Sequence, residues 1–79
     1  MIKTHMHQID EFFVGDECYT VKCFPYPKDG EIDFEVWTVG GEYLMTVTSN
    51  RPELSTSVLW AYLKGLPTDA VTYVVKGSN

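Results

Sequence analysis

Two histidines and two cysteines are the residues whose types could bind a metal ion. His5 and His7 lie two positions apart, so both imidazoles would point to one side of an extended segment, a spacing that zinc can use. Cys18 and Cys23 could add thiolates, but they lie five positions apart and would face opposite sides of one regular strand. Structural zinc sites typically separate paired cysteines by about two to four residues. We therefore expect no metal site, and interpret the cysteines as one core thiol and one partly exposed thiol.

Cysteine catalysis and carboxylate catalysis are the other chemistries that the residue types allow. A cysteine nucleophile needs an activating histidine and an orienting group such as Asp10 or Glu11, yet neither cysteine lies at a predicted helix N-terminus or in a cationic cluster. Asp33 and Glu35 would lie about 7 Å apart on one strand, and acid–base work requires a pocket that pushes their pKa values apart. So short a chain has little depth for such a pocket. We predict no catalytic residues and no enzymatic activity.

A phosphate-binding loop is also not indicated. Gly40-Gly41 has no accompanying lysine and precedes no predicted helix. We therefore expect the protein to use no cofactor.

Length and composition predict a single small domain. The chain has 79 residues, of which 44% are apolar and 14% aromatic, enough to build one thin core. We expect residues 1–79 to form one domain, with flexible ends at 1–8 and 77–79. The sequence contains neither the long apolar run of a signal peptide nor a segment able to cross a bilayer. We therefore predict a cytoplasmic protein, or one acting in a host cytoplasm, with no membrane partner.

Charge is distributed unevenly along this acidic chain. The net charge is −5; residues 1–48 hold nine acidic and three basic residues, whereas residues 49–79 carry a net +1. Direct nucleic-acid binding is disfavoured, because phosphate contacts need a basic patch. A protein partner with a basic surface is compatible with this charge, and so is an acidic surface that serves solubility alone.

The order of predicted elements indicates an α+β fold. Segments 9–14, 17–24, 32–39 and 42–48 are rich in strand formers, with a tight turn at Gly15-Asp16 and a loop at 25–30. The register of the first hairpin stays open. We predict that Gly40-Gly41 forms a two-residue type I′ loop, which pairs Val39 with Glu42 and Trp37 with Leu44. The predicted core face of this second hairpin holds Ile32, Phe34, Val36, Tyr43, Met45 and Val47, and the opposite face holds Asp33, Glu35, Trp37, Leu44, Thr46 and Thr48.

A helix and a last strand complete the predicted order β-β-β-β-α-β. Ser49 or Asn50 could cap a helix that has a proline in its first turn and an apolar stripe from Leu54 to Leu66, and Gly65 would end it. A strand over 70–76 would then place Val71, Tyr73 and Val75 on one side. We expect a two-layer domain, an antiparallel sheet of four to five strands with one helix packed on one face.

The sheet face without a helix is the predicted partner-binding surface. Trp37 opposite Leu44, beside the acidic residues Asp33 and Glu35 and with Glu31 and Glu42 at the ends, is typical of an interface anchor with a charged border. Alternatively, residues 1–8 could fold over this face and bury Trp37.

The leading functional hypothesis is a small acidic protein-interaction module. Acidic residues repeated along strands can mimic a nucleic-acid backbone. In format, as a short, acidic, single-domain chain, the protein is similar to phage-encoded host-takeover and anti-CRISPR proteins. That resemblance implies a viral inhibitor, monomeric or homodimeric, that binds a larger, basic, nucleic-acid-handling protein. The alternative is a homo-oligomeric structural or assembly protein that associates through an open sheet edge or through the Trp37 face.

Overall fold

A computed structural model describes residues 7–23 and 29–77, with side chains from residue 11 onward. His5, the Pro25 to Lys28 part of the predicted loop, and residues 1–6 and 78–79 of the predicted flexible ends lie outside the described residues. The alternative in which residues 1–8 fold over Trp37 falls, for residues 1–6, outside the described residues.

Five strands and one α-helix form the described domain. They are β1 (His7–Val14), β2 (Glu17–Cys23), β3 (Ile32–Thr38), β4 (Tyr43–Ser49), α1 (Thr56–Lys64) and β5 (Val71–Lys76), with a 3-10 turn at Pro52–Leu54 before the helix. Every neighbouring pair of strands is antiparallel, and the spatial order is the chain order from β1 to β5. The predicted α+β class and element order are confirmed.

The core lies between α1 and one face of the sheet, called here the inner face. Leu59 from the helix packs with Val21, Phe34, Val36 and Val47 in a cluster whose members are almost completely buried. Burial of each such side chain contributes about 1.5–3 kcal/mol to stability. Ile32, Phe34 and Val36 of β3 thus point inward, as their alternation predicts.

The first hairpin contains a bulge that decides which phenylalanine is exposed. Val14 pairs with Glu17 across the predicted Gly15-Asp16 turn, but the register shifts by one residue between Ile9 and Phe12. The extra residue explains why the alternation of this segment is broken. Phe12 consequently packs on the core, whereas Phe13 is 57% exposed.

The second hairpin differs from prediction at its loop. Thr38 donates its backbone N–H to the Glu42 carbonyl (2.8 Å) and accepts the Gly41 N–H (3.0 Å), so the loop has three residues rather than two. Gly41 has φ +96° while Gly40 is not left-handed, as in a type I turn closed by a left-handed glycine. The predicted type I′ turn and the pairing of Val39 with Glu42 are therefore wrong.

A bulge in β4 then cancels the one-residue change that the loop makes in the pairing register of β3 and β4. Trp37 pairs with Tyr43 and Val36 pairs with Met45, so Leu44 is the extra residue. From Val36 back to Phe34 the predicted register is correct. Between the loop and the bulge it is wrong: Tyr43 takes the place predicted for Leu44 opposite Trp37, and Leu44 packs against the core.

The helix begins later than predicted, because β4 extends further. Ser49 is fully buried at the end of β4, and its Oγ accepts the Arg51 N–H at 3.0 Å. Asn50 donates its backbone N–H to Ala70, so neither residue caps α1. Ser55, with φ 53° and ψ −136°, separates the 3-10 turn from α1. The buried part of the predicted apolar stripe is shorter as a result. Leu54 and Leu66, at its two ends, are exposed, whereas Val58 and Leu59 are buried.

The end of α1 agrees with prediction. Gly65 adopts φ 83° and donates its N–H to the carbonyls of Ala61 and Tyr62, and Leu66 also donates to Ala61. A left-handed glycine satisfies the last carbonyls of a helix in this way.

The last strand has its own bulge. Ser49 pairs with Val71 and Thr48 with Tyr73, which leaves Thr72 as the extra residue. The predicted grouping of Val71 with Tyr73 and Val75 is therefore wrong. Val71 and Val74 pack on the core, whereas Tyr73 and Val75 are exposed on the other side of the sheet.

Candidate protein-interaction surface

The outer face, defined here as the sheet face opposite α1, presents rows of side chains that the ladder aligns. In one row Trp37 lies between Thr20 and Tyr43; in the next, Glu35 lies between Lys22 and Thr46. A third row contains Asp33, Thr48 and Tyr73. Side chains of one row stand about 4.5–5.5 Å apart at their Cβ atoms, close enough to contact one another.

The aromatic cluster of this face consists of Trp37, Tyr43, Lys22 and Glu35. The rings of Trp37 and Tyr43 meet edge to face, with centroids 5.4 Å apart and an interplanar angle of 70°. The Lys22 ammonium lies over the indole, 4.3 Å from the ring centroid, and the indole Nε1–H donates to Glu35 Oε1 at 3.1 Å. Three different contacts therefore fix the orientation of the indole.

A shallow depression lies beside the indole. It has a volume of about 180 Å³ and is lined by Thr20, Lys22, Trp37, Thr38, Val39 and Gly41. That volume is below the ~300 Å³ at which ordinary ligand pockets begin. The depression is large enough for a single amino-acid side chain.

Acidic residues extend along β3 from the aromatic cluster. Asp33 Oδ1 accepts a hydrogen bond from Thr48 Oγ1 at 2.6 Å, and Glu31 Oε2 accepts one from Thr72 Oγ1 at 3.2 Å. With Glu35, these residues occupy every second position, so their carboxylates follow one line about 6–7 Å apart. The threonines hold two of the carboxylates in place without neutralising their charge.

The six residues predicted to bind a partner do not all lie together. Trp37, Asp33 and Glu35 share the outer face, Glu31 comes directly before β3, and Glu42 is exposed at the hairpin loop. Leu44 is the exception, because the β4 bulge turns it toward the core.

Sequence reasoning missed Tyr43 and Lys22 as parts of this surface. The signal for Tyr43 was Thr38, whose Oγ1 accepts the Glu42 N–H at 2.9 Å and so favours the three-residue loop. Lys22 could be placed opposite Glu35 only after the register between β2 and β3 was known.

The thiols lie apart, as their spacing predicts. Cys23 packs on the inner core, and its burial raises the pKa of the thiol above its ordinary value. Cys18 pairs with Phe13 on the other side of the sheet. His7 pairs with Cys23 in the ladder, and within the described residues no cluster of three or more His, Cys, Asp or Glu could hold a metal ion.

Comparisons with protein-family models, with curated proteins and with solved structures gave no match for this chain. Within residues 7–23 and 29–77, no helix is long and apolar enough to span a membrane. The outer face combines an ordered aromatic cluster with a line of carboxylates.

Proposed function

We propose that this protein is a non-enzymatic, acidic protein-interaction module that binds a basic surface of a larger protein through its outer face. The observation that carries the proposal is the fixed indole of Trp37 on the sheet face opposite the helix. Tryptophan and tyrosine are enriched among residues that dominate binding energy. A ring already held by Tyr43, Lys22 and Glu35 loses little conformational freedom when it binds.

Charge supports a basic partner. Asp33 and Glu35 border the indole, Glu31 and Glu42 stand at the two ends of β3, and the whole chain carries a net −5. Complementary potentials speed encounter and exclude partners of like charge. Lys22 is the cation inside this surface, and its position over the indole directs part of its charge toward the ring rather than toward a partner.

The finer form of the proposal is an inhibitor of a nucleic-acid-handling protein. Carboxylates at regular spacing along β3 would occupy the site on the partner that ordinarily holds phosphates. This form agrees with the resemblance in format to phage-encoded host-takeover and anti-CRISPR proteins.

The test is affinity capture with matched tryptophan variants. Tagged wild-type protein, Trp37→Ala and Trp60→Ala are incubated at low and high salt with nuclease-treated lysate of the natural host. Trp60 is a suitable control because it also lies under a lysine, with Lys64 Nζ 4.6 Å from its centroid, but on the exposed side of α1. We expect wild type and Trp60→Ala to retain one stoichiometric partner at low salt, and Trp37→Ala to lose it.

The salt and competition arms distinguish the two levels of the proposal. Retention that falls steeply with salt supports recognition by charge, and release of the partner by added DNA or RNA supports the inhibitor form. Capture that is equal for all three variants would show that the outer face is not the binding surface. If no protein is captured at low or at high salt, the interaction-module proposal is contradicted.

A further inference from the structure

The two edges of the sheet differ in how far they resist pairing with another strand. β1 carries Asp10 and Glu11 at its bulge, and charges and bulges are devices that protect an edge strand. β5 has no acidic residue and no proline, and its pairing with β4 is regular from Tyr73 to Lys76. In the described part of the chain, β5 is paired on its β4 side alone.

The hydrogen-bond pattern shows which backbone groups of β5 face outward. Gly77 donates its N–H to the Leu44 carbonyl at 2.8 Å. Because hydrogen-bonded pairs alternate along an antiparallel ladder, Tyr73 and Val75 also direct their backbone groups toward β4. The N–H and C=O groups of Val74 and Lys76 consequently point away from the sheet.

This outward edge is self-complementary about Val74. If two copies of β5 pair antiparallel with Val74 opposite the partner's Val74, each Val74 exchanges both backbone hydrogen bonds with its counterpart. Tyr73 then lies opposite the partner's Val75 in a non-hydrogen-bonded pair, where side chains approach most closely. Tyr73 is 64% and Val75 44% exposed in the single chain, so both apolar pairs would bury surface that now contacts solvent.

Charge favours a second copy at this edge. Residues 70–76 contain one charged side chain, Lys76, in a chain whose net charge is −5. Two copies approaching through β5 bring together a strand without acidic residues, whereas β1 carries Asp10 and Glu11.

We propose that the protein forms a two-fold symmetric homodimer in which two β5 strands join the sheets into one of ten strands. The proposal does not rest on the partner-binding function, since it uses the free edge of β5 rather than the aromatic cluster around Trp37. One strand pair buries less than the ~1,200 Å² of a standard interface. We therefore expect a weak dimer, with a dissociation constant on the order of 100 µM.

Sedimentation equilibrium on charge variants tests both the dimer and its register. Tyr73→Lys alone and Val75→Glu alone each remove apolar pairs and should weaken the dimer about tenfold or more. In the double variant Tyr73→Lys/Val75→Glu, each introduced ammonium faces an introduced carboxylate of the partner, so dimerisation should recover. The matched control Tyr73→Glu/Val75→Glu opposes like charges and should stay monomeric.

Amide hydrogen exchange supplies a readout that depends on the backbone. We expect the Val74 and Lys76 amides to become protected as the protein concentration rises, in parallel with dimer formation. The proposal would be overturned if the wild-type chain stays monomeric up to ~1 mM, or if all four variants leave the dimer affinity unchanged. It would also be overturned if Tyr73→Lys/Val75→Glu dimerises no more tightly than Tyr73→Glu/Val75→Glu.

Discussion

At the scale of single residues, the place of a side chain in the fold decides which groups it contacts. Trp37 and Trp60 each lie beneath a lysine ammonium, at 4.3 and 4.6 Å. The Trp37 indole also donates a hydrogen bond to the Glu35 carboxylate and meets the Tyr43 ring edge to face. Trp37 is therefore an oriented ring on a sheet, whereas Trp60 lies on the exposed side of a helix.

Cys23 gives a prediction at this scale. Burial raises its pKa, so the folded chain holds the thiol proton more tightly than the unfolded chain does. The resulting stability is fully present below the thiol pKa of the unfolded chain and is lost as the pH rises through the folded value. In a Cys18→Ser background, thiolate absorbance should appear at higher pH in native buffer than in denaturant. An equal or lower native midpoint would contradict the burial of Cys23.

At the scale of elements, irregularities one residue long determine which side chains share a face. The three-residue loop and the Leu44 bulge shift the register of β3 and β4 in opposite directions and cancel. Between them they exchange Tyr43 for Leu44 opposite Trp37. The Thr72 bulge has a similar effect in β5, where it places Val74 inside and Tyr73 outside.

The loop geometry predicts different costs for two neighbouring glycine substitutions. Gly41→Ala should lower the unfolding free energy by about 1–2 kcal/mol, because Gly41 has φ +96° and an L-residue is strained there. Gly40→Ala should change it by less than about 0.5 kcal/mol, since the added Cβ would meet Thr38 Oγ1 at 3.8 Å, an ordinary contact. Urea titrations measure both. Equal losses would favour the type I′ loop instead.

At the scale of the whole molecule, one helix covers one face of a five-stranded sheet, and the other face carries the acidic and aromatic groups. The two faces should therefore respond very differently to the same substitution. In the proposed function, the outer face is the surface that contacts the partner.

Val36→Asp and Val75→Asp form a matched pair that tests the assignment of faces. Val36 is fully buried, so an aspartate there has no partner for its charge, and the variant should be unfolded given the ~5 kcal/mol stability of small domains. Val75 is 44% exposed on the outer face, and its variant should keep the native circular dichroism spectrum. A folded Val36→Asp protein would mean that the faces are inverted.

Much of the fold was predictable from the sequence because it depends on local chemistry. Alternation in β3 placed Phe34 and Val36 inside, Gly15-Asp16 marked the first turn, and Gly65 ended the helix. The same alternation placed Trp37, Asp33 and Glu35 on one face. These features depend on side-chain periodicity and on glycine conformations that the amino-acid types themselves specify.

Tertiary structure alone decided the features that involve a choice between similar local energies. A glycine pair accommodates a two- or a three-residue loop, and the outcome depends on the Thr38–Glu42 contacts and on burying Leu44 against the core. The start of α1 depended on the contacts of Ser49 and Asn50. Ser49 ends β4 and its Oγ accepts the Arg51 N–H, and Asn50 donates its backbone N–H to the Ala70 carbonyl. Each outcome shifts the register by one residue or moves a boundary, and periodicity within a single segment carries no information on contacts made by distant segments.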